Sequence, residues 1–407
     1  MVRWAVLTVT AALLWPAMTA FGEEEAPGRI IEVAPGEDYR AALNRLQPGD
    51  ELRLLPGVHE GHTVVRVSGE PGRPITIRGV IEDGRRPELR FTGRGHNLWR
   101  IRGSHLRIRD LAFHATHAYA IRVDRADDIT IENCLFRACG GGDISANTAD
   151  VDGLRIIGCR FIESRRTPVY IGHHQGRLSI DNFRFEGNVI DGSRIEGGIG
   201  YGIQLKLNVR GGVIRDNFIT ATRGPGIMVY GAEDAGDEDA NTIERNLVIG
   251  SRRNPGIAVG GGPAVVRHNI VLGGRAGGIA VFDYGGRGLL ERISIDRNIA
   301  ALNRGHDLSI RGRVRDLTVK ANRIWTRPGG GAGGGIRGLS AAEAAEMDNR
   351  IEAAGEALSR AVEQLDGFVP EEAAMTATGR RLQEGLPADE GALTAMLHAL
   401  LDGAVAD

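Results

Sequence analysis

Along the middle of the chain one arrangement of apolar and polar positions recurs. An apolar residue is followed three positions later by an asparagine or a substitute, and two positions after that by a second apolar residue. The pattern reads Ile108/Leu111/Phe113, Ile131/Cys134/Phe136, Ile156/Cys159/Phe161, Phe185/Asn188/Ile190, Ile214/Asn217/Ile219, Ile243/Asn246/Val248, Val266/Asn269/Val271, Ile295/Asn298/Ala300 and Val319/Asn322/Ile324. Central residues are separated by 23, 25, 29, 29, 29, 23, 29 and 24 positions, which marks a repeat protein. Each repeat carries another alternating segment, clearest as Gly202-Ile203-Gln204-Leu205, Gly226-Ile227-Met228-Val229, Gly256-Ile257-Ala258-Val259 and Gly278-Ile279-Ala280-Val281. Apolar residues alternate there with outward ones, as a half-buried strand requires.

Three short strands per repeat, with no helix-length segment between them, leave little room for a βαβ unit. The pattern predicts an all-β fold, a single-stranded right-handed parallel β-helix of about ten coils. Coils in such a solenoid stack at about 4.8 Å, so equivalent positions form ladders along its axis. Asn188, Asn217, Asn246, Asn269, Asn298 and Asn322 then line one inside bend, each amide bonding the next. Cys134 and Cys159 fall on the same column and read as small buried fillers rather than a bridge.

The flanks follow other periods. Tyr39 to Leu46 is a short amphipathic helix pattern able to cover the open edge of the first coil. At the far end Met347, Ile351, Ala354, Leu358, Ala361 and Leu365 step by 4, 3, 4, 3 and 4, as for one helix with a single apolar seam. Leu393, Met396, Leu397 and Leu400 suggest a second helix. This tail is expected to cap the solenoid or to contact a partner or a second copy. Residues 1–22 combine Arg3, an apolar run from Trp4 to Trp15 and a small-x-small pattern at Ala20 to Gly22, which reads as a cleaved secretory signal and a periplasmic or secreted protein. The chain thus divides into a signal segment at 1–22, an N-terminal cap with the first coils at 23–90, the β-helix at 91–328, a glycine-rich linker at 329–338 and a helical tail at 339–407.

Composition narrows the function. A net charge of −2 argues against a strongly basic nucleic-acid binder, and 42% hydrophobic residues exclude a disordered chain. No segment beyond the signal is long and apolar enough for a membrane span. Lysine and arginine total 50, yet only Lys206 and Lys320 are lysines. A lysine at a chosen place is therefore less apt to be casual filler. Three cysteines are too few for a disulfide scaffold.

Ala41-Ala42-Leu43, Pro48-Gly49-Asp50-Glu51-Leu52, Pro56-Gly57-Val58 and Arg73-Pro74-Ile75-Thr76-Ile77-Arg78-Gly79 are similar to the start of alginate-lyase and chondroitinase-B-type enzymes. The repeats with Tyr201-Gly202-Ile203 and Gly226-Ile227 also resemble periplasmic mannuronan C5-epimerases. Residues 29–328 thus resemble the pectate-lyase-like superfamily of carbohydrate-active β-helices. The resemblance implies an acidic polysaccharide as partner. The epimerase's Asp-Pro-His-Asp motif is absent, Gln204-Leu205-Lys206-Leu207 standing after Tyr201-Gly202-Ile203, and the polygalacturonase carboxylate motifs are missing too.

Aligning the alternating segments puts two outward columns on one face. The first reads Arg122, Ser145, Tyr170, Gln204, Met228, Ala258 and Ala280; the second reads Asp124, Asn147, Gly172, Lys206, Tyr230, Gly260 and Phe282. Polar and aromatic residues concentrate between the coils of 122 and 230, the expected sugar groove, with Tyr170, Gln204 and Arg122 as binding residues. Lys206 is the candidate base, since burial and nearby positive charge lower a lysine toward working pH. Arg210, Arg215 and Arg223 are near enough in sequence to clamp a carboxylate, with Arg223 assigned to the catalytic set. Tyr230 is a general acid, a stacking platform or an ordinary strand aromatic. His173 and His174 border the face as a substitute base, as substrate ligands or as exposed turn residues. The acidic loop 233–239 leaves calcium open as a cofactor, although its spacing matches no calcium loop. A lyase on an anionic polysaccharide ranks first, a C5-epimerase beside it. A glycoside hydrolase would need two positioned carboxylates, and the groove offers only Asp124 clearly. A non-catalytic carbohydrate-binding or envelope-structural β-helix is the alternative of another class.

Overall fold

Each triplet in the sequence forms a corner between two short strands. In the computed structural model, described over residues 28–328, 335–365, 378, 381–382 and 384–402, these corners stack into a right-handed parallel β-helix of about 11 turns. Sheet I holds the strand before each triplet's centre and sheet II the strand after it, 12 strands apiece; sheet III, with 11 strands, holds the Gly-Ile segments. Partners follow the repeat, as in Ile214 opposite Ile243 in sheet I, Ile219 opposite Val248 in sheet II and Gln204 opposite Met228 in sheet III.

The corner between sheets I and II is the asparagine column. Asn246 Nδ2 donates to Asn269 Oδ1 at 2.9 Å and to the Ile214 carbonyl at 2.9 Å, while its Oδ1 accepts from the backbone N–H and the side-chain amide of Asn217 at 3.1 and 2.8 Å. The residue before each asparagine takes left-handed backbone, and few of these are glycine: Asp216, Arg245, His268 and Arg297 have φ between 51° and 59°. Such residues cost on the order of 1 kcal/mol each, which the buried amide bonds offset. The column continues past the six expected residues to Asn349, and at its other end Cys159 donates its N–H to Asn188 Oδ1. Cys134 and Cys159 are buried free thiols, as expected.

A second column escaped the sequence reading. Three residues after the second apolar position of a triplet stand Ser164, Thr222, Ser251 and Asn303, preceded by Glu163, Ala221 and Leu302 or by Gly250, all in left-handed backbone. This corner leads into sheet III, where the repeated glycines are a steric necessity. A Cβ at Gly202 would lie 2.4 Å from the Gly226 carbonyl oxygen, and one at Gly256 would lie 2.3 Å from Val271 Cγ1. Inside, Phe113, Phe136 and Phe161 stack at 5.0 and 4.9 Å beneath the early coils.

Helix α1, Tyr39–Leu43, closes the first coil by burying Tyr39 and Leu43, and the Tyr39 hydroxyl donates to the Gly61 carbonyl. The other end departs from expectation. The single helix predicted from Met347 to Leu365 is broken, because Asn349 joins the ladder and Arg350–Ala353 pairs with Arg323–Thr326 as a further strand of sheet II. Met347 and Ile351 are accordingly exposed. Ile336–Arg337, within the expected linker, likewise pairs into sheet III, so the solenoid runs beyond residue 328. Helices α2 (Ala341–Glu346), α3 (Glu356–Gln364) and α4 (Glu390–Leu401) complete the tail. Leu358, Ala361, Leu393 and Leu397 bury against Leu247, Ile270, Leu272 and Ile299, so the tail covers the outside of sheet II rather than the end of the solenoid. No helix among the described residues is long and apolar enough to cross a membrane. The segment read as a secretory signal and most of the glycine-rich linker lie outside the described residues.

Candidate active site

Sheet III carries both outward columns in the expected register: Arg122 pairs with Ser145, Ser145 with Tyr170, Tyr170 with Gln204, Gln204 with Met228, Met228 with Ala258 and Ala258 with Ala280. Lys206 follows the strand Ile203–Leu205, its N–H donating to the Ile171 carbonyl at 2.7 Å. Its ammonium lies 3.9 Å from the centre of the Tyr230 ring and 5.4 Å from that of Tyr170, held between aromatics one rung away on either side. Among the described residues it has no carboxylate partner. Burial, with the positive charge of Arg287 added, lowers Lys206 to about 8. The space it uses comes from Gly172, where φ is +85° and a Cβ would stand 3.2 Å from Lys206 Cβ and 2.9 Å from Val209 Cγ2.

Tyr230 is buried and its hydroxyl accepts from Gln204 Nε2 at 3.3 Å. The Tyr201 and Tyr284 hydroxyls gather about it, and burial together with these neighbours holds its proton far above the usual tyrosine range. Tyr284 meets Tyr230 edge to face at 4.7 Å. Burial also pushes up Tyr170, which is half-buried. Five of the six tyrosines, all but Tyr39, therefore stand along this face, with Tyr119 beneath the Arg122 guanidinium at 5.5 Å. Arg122 also reaches Ser145 Oγ at 3.4 Å.

The remaining candidates separate. His173 sits beside the site in an antiparallel bridge with Leu207, its ring 4.4 Å from that of His174; burial, then His174 and Arg177, keep its pKa below the usual value. His174 is exposed, and its carbonyl accepts from Arg287 at 3.4 Å. Arg210 is committed elsewhere, donating to the Glu233 carbonyl at 2.8 Å and lying 3.6 Å from Asp239. Arg215 pairs with Glu186 at 3.0 Å on sheet I, away from the groove. Arg223 is exposed in the bend before the next strand, on the Tyr201 side of the groove, with its backbone N–H bonded to the Ile199 carbonyl. Asp124 is buried and held by Arg100, Arg102 and Thr148. In the acidic loop Asp239 faces Arg210 and Asp237 faces Arg292, and no group of three or more metal-ligating side chains forms among the described residues.

Arg287, Tyr284 and Tyr201 were not anticipated. Two of them arrive on the loop 283–289, which leaves sheet III at Phe282 and folds back over earlier coils. Its turn is fixed by Asp283, whose carboxylate accepts the Arg287 and Gly288 N–H groups at 2.8 and 3.1 Å. An aromatic in a glycine-rich loop beginning directly after a groove position was the available sequence signal.

The family described as right handed beta helix region matches residues 100–249. Comparison with curated proteins finds no match. Among solved structures, an alginate lyase from Paenibacillus sp. str. FPU-7 superposes with a TM-score of 0.53 at 17% identity, covering 72% of this chain and 99% of that one. A GH136 lacto-N-biosidase from Eubacterium ramulus superposes with a TM-score of 0.53 at 13% identity, covering 80% of this chain and 68% of that one. One neighbour is thus a lyase and the other a glycosidase, and what this chain has in common with both is the right-handed parallel β-helix fold.

Proposed function

We propose that the protein is a polysaccharide lyase that cleaves an anionic, uronate-containing polymer by β-elimination. The observation that carries this reading is Lys206, half-buried with its ammonium between two tyrosine rings, without a carboxylate partner among the described residues and lowered to about 8. In its neutral form it takes the C5 proton of a uronate. Arg287, the guanidinium whose charge acts on Lys206, meets the uronate carboxylate and so acidifies that proton. The C5–H pair forms the C4–C5 double bond as the C4–O4 bond breaks, and a hydroxyl of the Tyr201, Tyr230 and Tyr284 group protonates the departing oxygen. Burial and neighbouring hydroxyls hold the Tyr230 and Tyr201 protons above the usual tyrosine range, so both are carried at neutral pH, as an acid at this step must. Hydrolysis is less well served, because Asp124, the carboxylate in the groove columns, is occupied by Arg100, Arg102 and Thr148. Export through residues 1–22 would bring the enzyme to periplasmic or extracellular polymers.

The test incubates purified protein with alginate, pectate, chondroitin and heparin-like polymers and follows the ultraviolet absorbance of the unsaturated product. Absorbance that appears with the wild type and is lost in Lys206→Ala supports the reading; equal activity in that variant removes Lys206 as the base. Solvent deuterium entering the sugar without absorbance would instead identify epimerisation. Neither signal on any polymer would leave carbohydrate binding as the function.

A further inference from the structure

The two halves of the groove differ in what lies above their floor. In the first outward column Arg122 and Tyr170 remain partly open on either side of Ser145, which lies buried beneath them, whereas Gln204, Met228, Ala258 and Ala280 are 4%, 1%, 0% and 1% exposed. The cover over the middle of this stretch is the loop 283–289 with the tyrosines it meets. Tyr284 lies against Gly260 and the Tyr230 ring, and Leu289 packs with Met228, Tyr230 and Ala258. Glycine at 260 makes this close seat, since a Cβ would stand 3.1 Å from Tyr284 Cβ and from Met228 Cε. Arg287 then ties the loop's tip to the His174 carbonyl, 113 residues away in sequence and beside Lys206. The small residues of the later coils thus seat a strap, and Lys206 stands where the open trough meets it.

We infer that the groove is blind at the strap, so that the protein acts on the end of a polysaccharide chain and the bound chain runs from Lys206 toward Tyr170 and Arg122. This rests on the lyase reading for its chemistry and on the covered floor for its geometry. Arg122 is three rungs from Gln204, about 14 Å at the strand spacing, which several sugars of an extended chain would span. Arg122 therefore serves a carboxylate remote from the bond that breaks.

The experiment compares uronate oligomers that are free, blocked at one end or the other by a bulky fluorophore, or blocked at both, measuring binding and product release with the wild-type protein. Blocking one particular end should weaken binding at least tenfold, blocking the other should have little effect, and polymer viscosity should fall slowly while product accumulates. Arg122→Ala should weaken long oligomers and leave the shortest unchanged. Doubly blocked chains bound and cut as well as free ones, or an early collapse of viscosity, would overturn the inference. A neutral glycan series carrying the same blocks separates the two ideas: neutral chains that bind with end dependence uphold the blind groove while removing the uronate lyase. Absence of binding to every glycan would overturn both.

Discussion

The corner lined by asparagines and the groove on sheet III come from the same repeat and treat polar groups in opposite ways. At the corner each asparagine amide is matched by the identical residues one coil away and by a backbone carbonyl, so the polar atoms satisfy one another. In the groove an ammonium, three phenols and a guanidinium are gathered from different coils and from a distant loop, and among the described residues no carboxylate answers the ammonium. Self-complementary polar groups hold a fold. Polar groups held without complements are available to a substrate.

Exchanging the two kinds of loss should break this contrast if it is wrong. Lys206→Ala is expected to lower turnover by about 10²–10⁴-fold with Tm unchanged or slightly raised, since a desolvated charge is removed. A fall in Tm with activity retained would make Lys206 structural. Asn246→Ala should do the reverse. It strands the buried Asn217 N–H and side-chain amide, costing about 3 kcal/mol, which thermal unfolding reads while the folded fraction keeps its activity. Gly172→Ala probes where the two regimes meet: left-handed backbone and the approach to Lys206 Cβ should cost about 1–2 kcal/mol and lower turnover through a displaced lysine.

The smallest expected effect, a displacement of the pH profile distinct from the turnover lost with the Arg287–carboxylate contact, sharpens the electrostatics. Lys206 acts as a base only when neutral, and its pKa of about 8 means that the rate rises as pH increases toward 8 and then levels. Arg287→Gln removes a positive charge that disfavours the ammonium, so Lys206 should rise and the ascending limb should move to higher pH, by about half a unit. A pH–rate profile that does not move would detach Arg287 from Lys206.

What could be read from the sequence follows the same division. The asparagine column, the register of sheet III and the position of Lys206 were legible because identical residues recur at the coil period, and a period is visible without coordinates. The Ser164, Thr222, Ser251 and Asn303 column was hidden because serine, threonine and asparagine share a role without sharing an identity. Asn349 was masked by a coincident helical spacing from Met347 to Leu365. Tyr284 and Arg287 were harder to place for a different reason: the glycine-rich loop after Phe282 signals an aromatic near the groove, but its direction of return is set by tertiary contacts that no local pattern encodes. The assignment of Arg210 to substrate failed to foresee that the acidic loop would claim its guanidinium.

The tail on sheet II has a consequence for how the molecule comes apart. A solenoid whose coils touch only their neighbours can open one coil at a time from an end. Helices α3 and α4 rest on Leu247, Ile270, Ile299 and Trp325, which belong to successive coils. They act as a splint, and coils bound to one splint must open together or not at all. The strap that closes the groove springs from this splinted stretch, so the blind end is anchored in the part of the solenoid least free to fray.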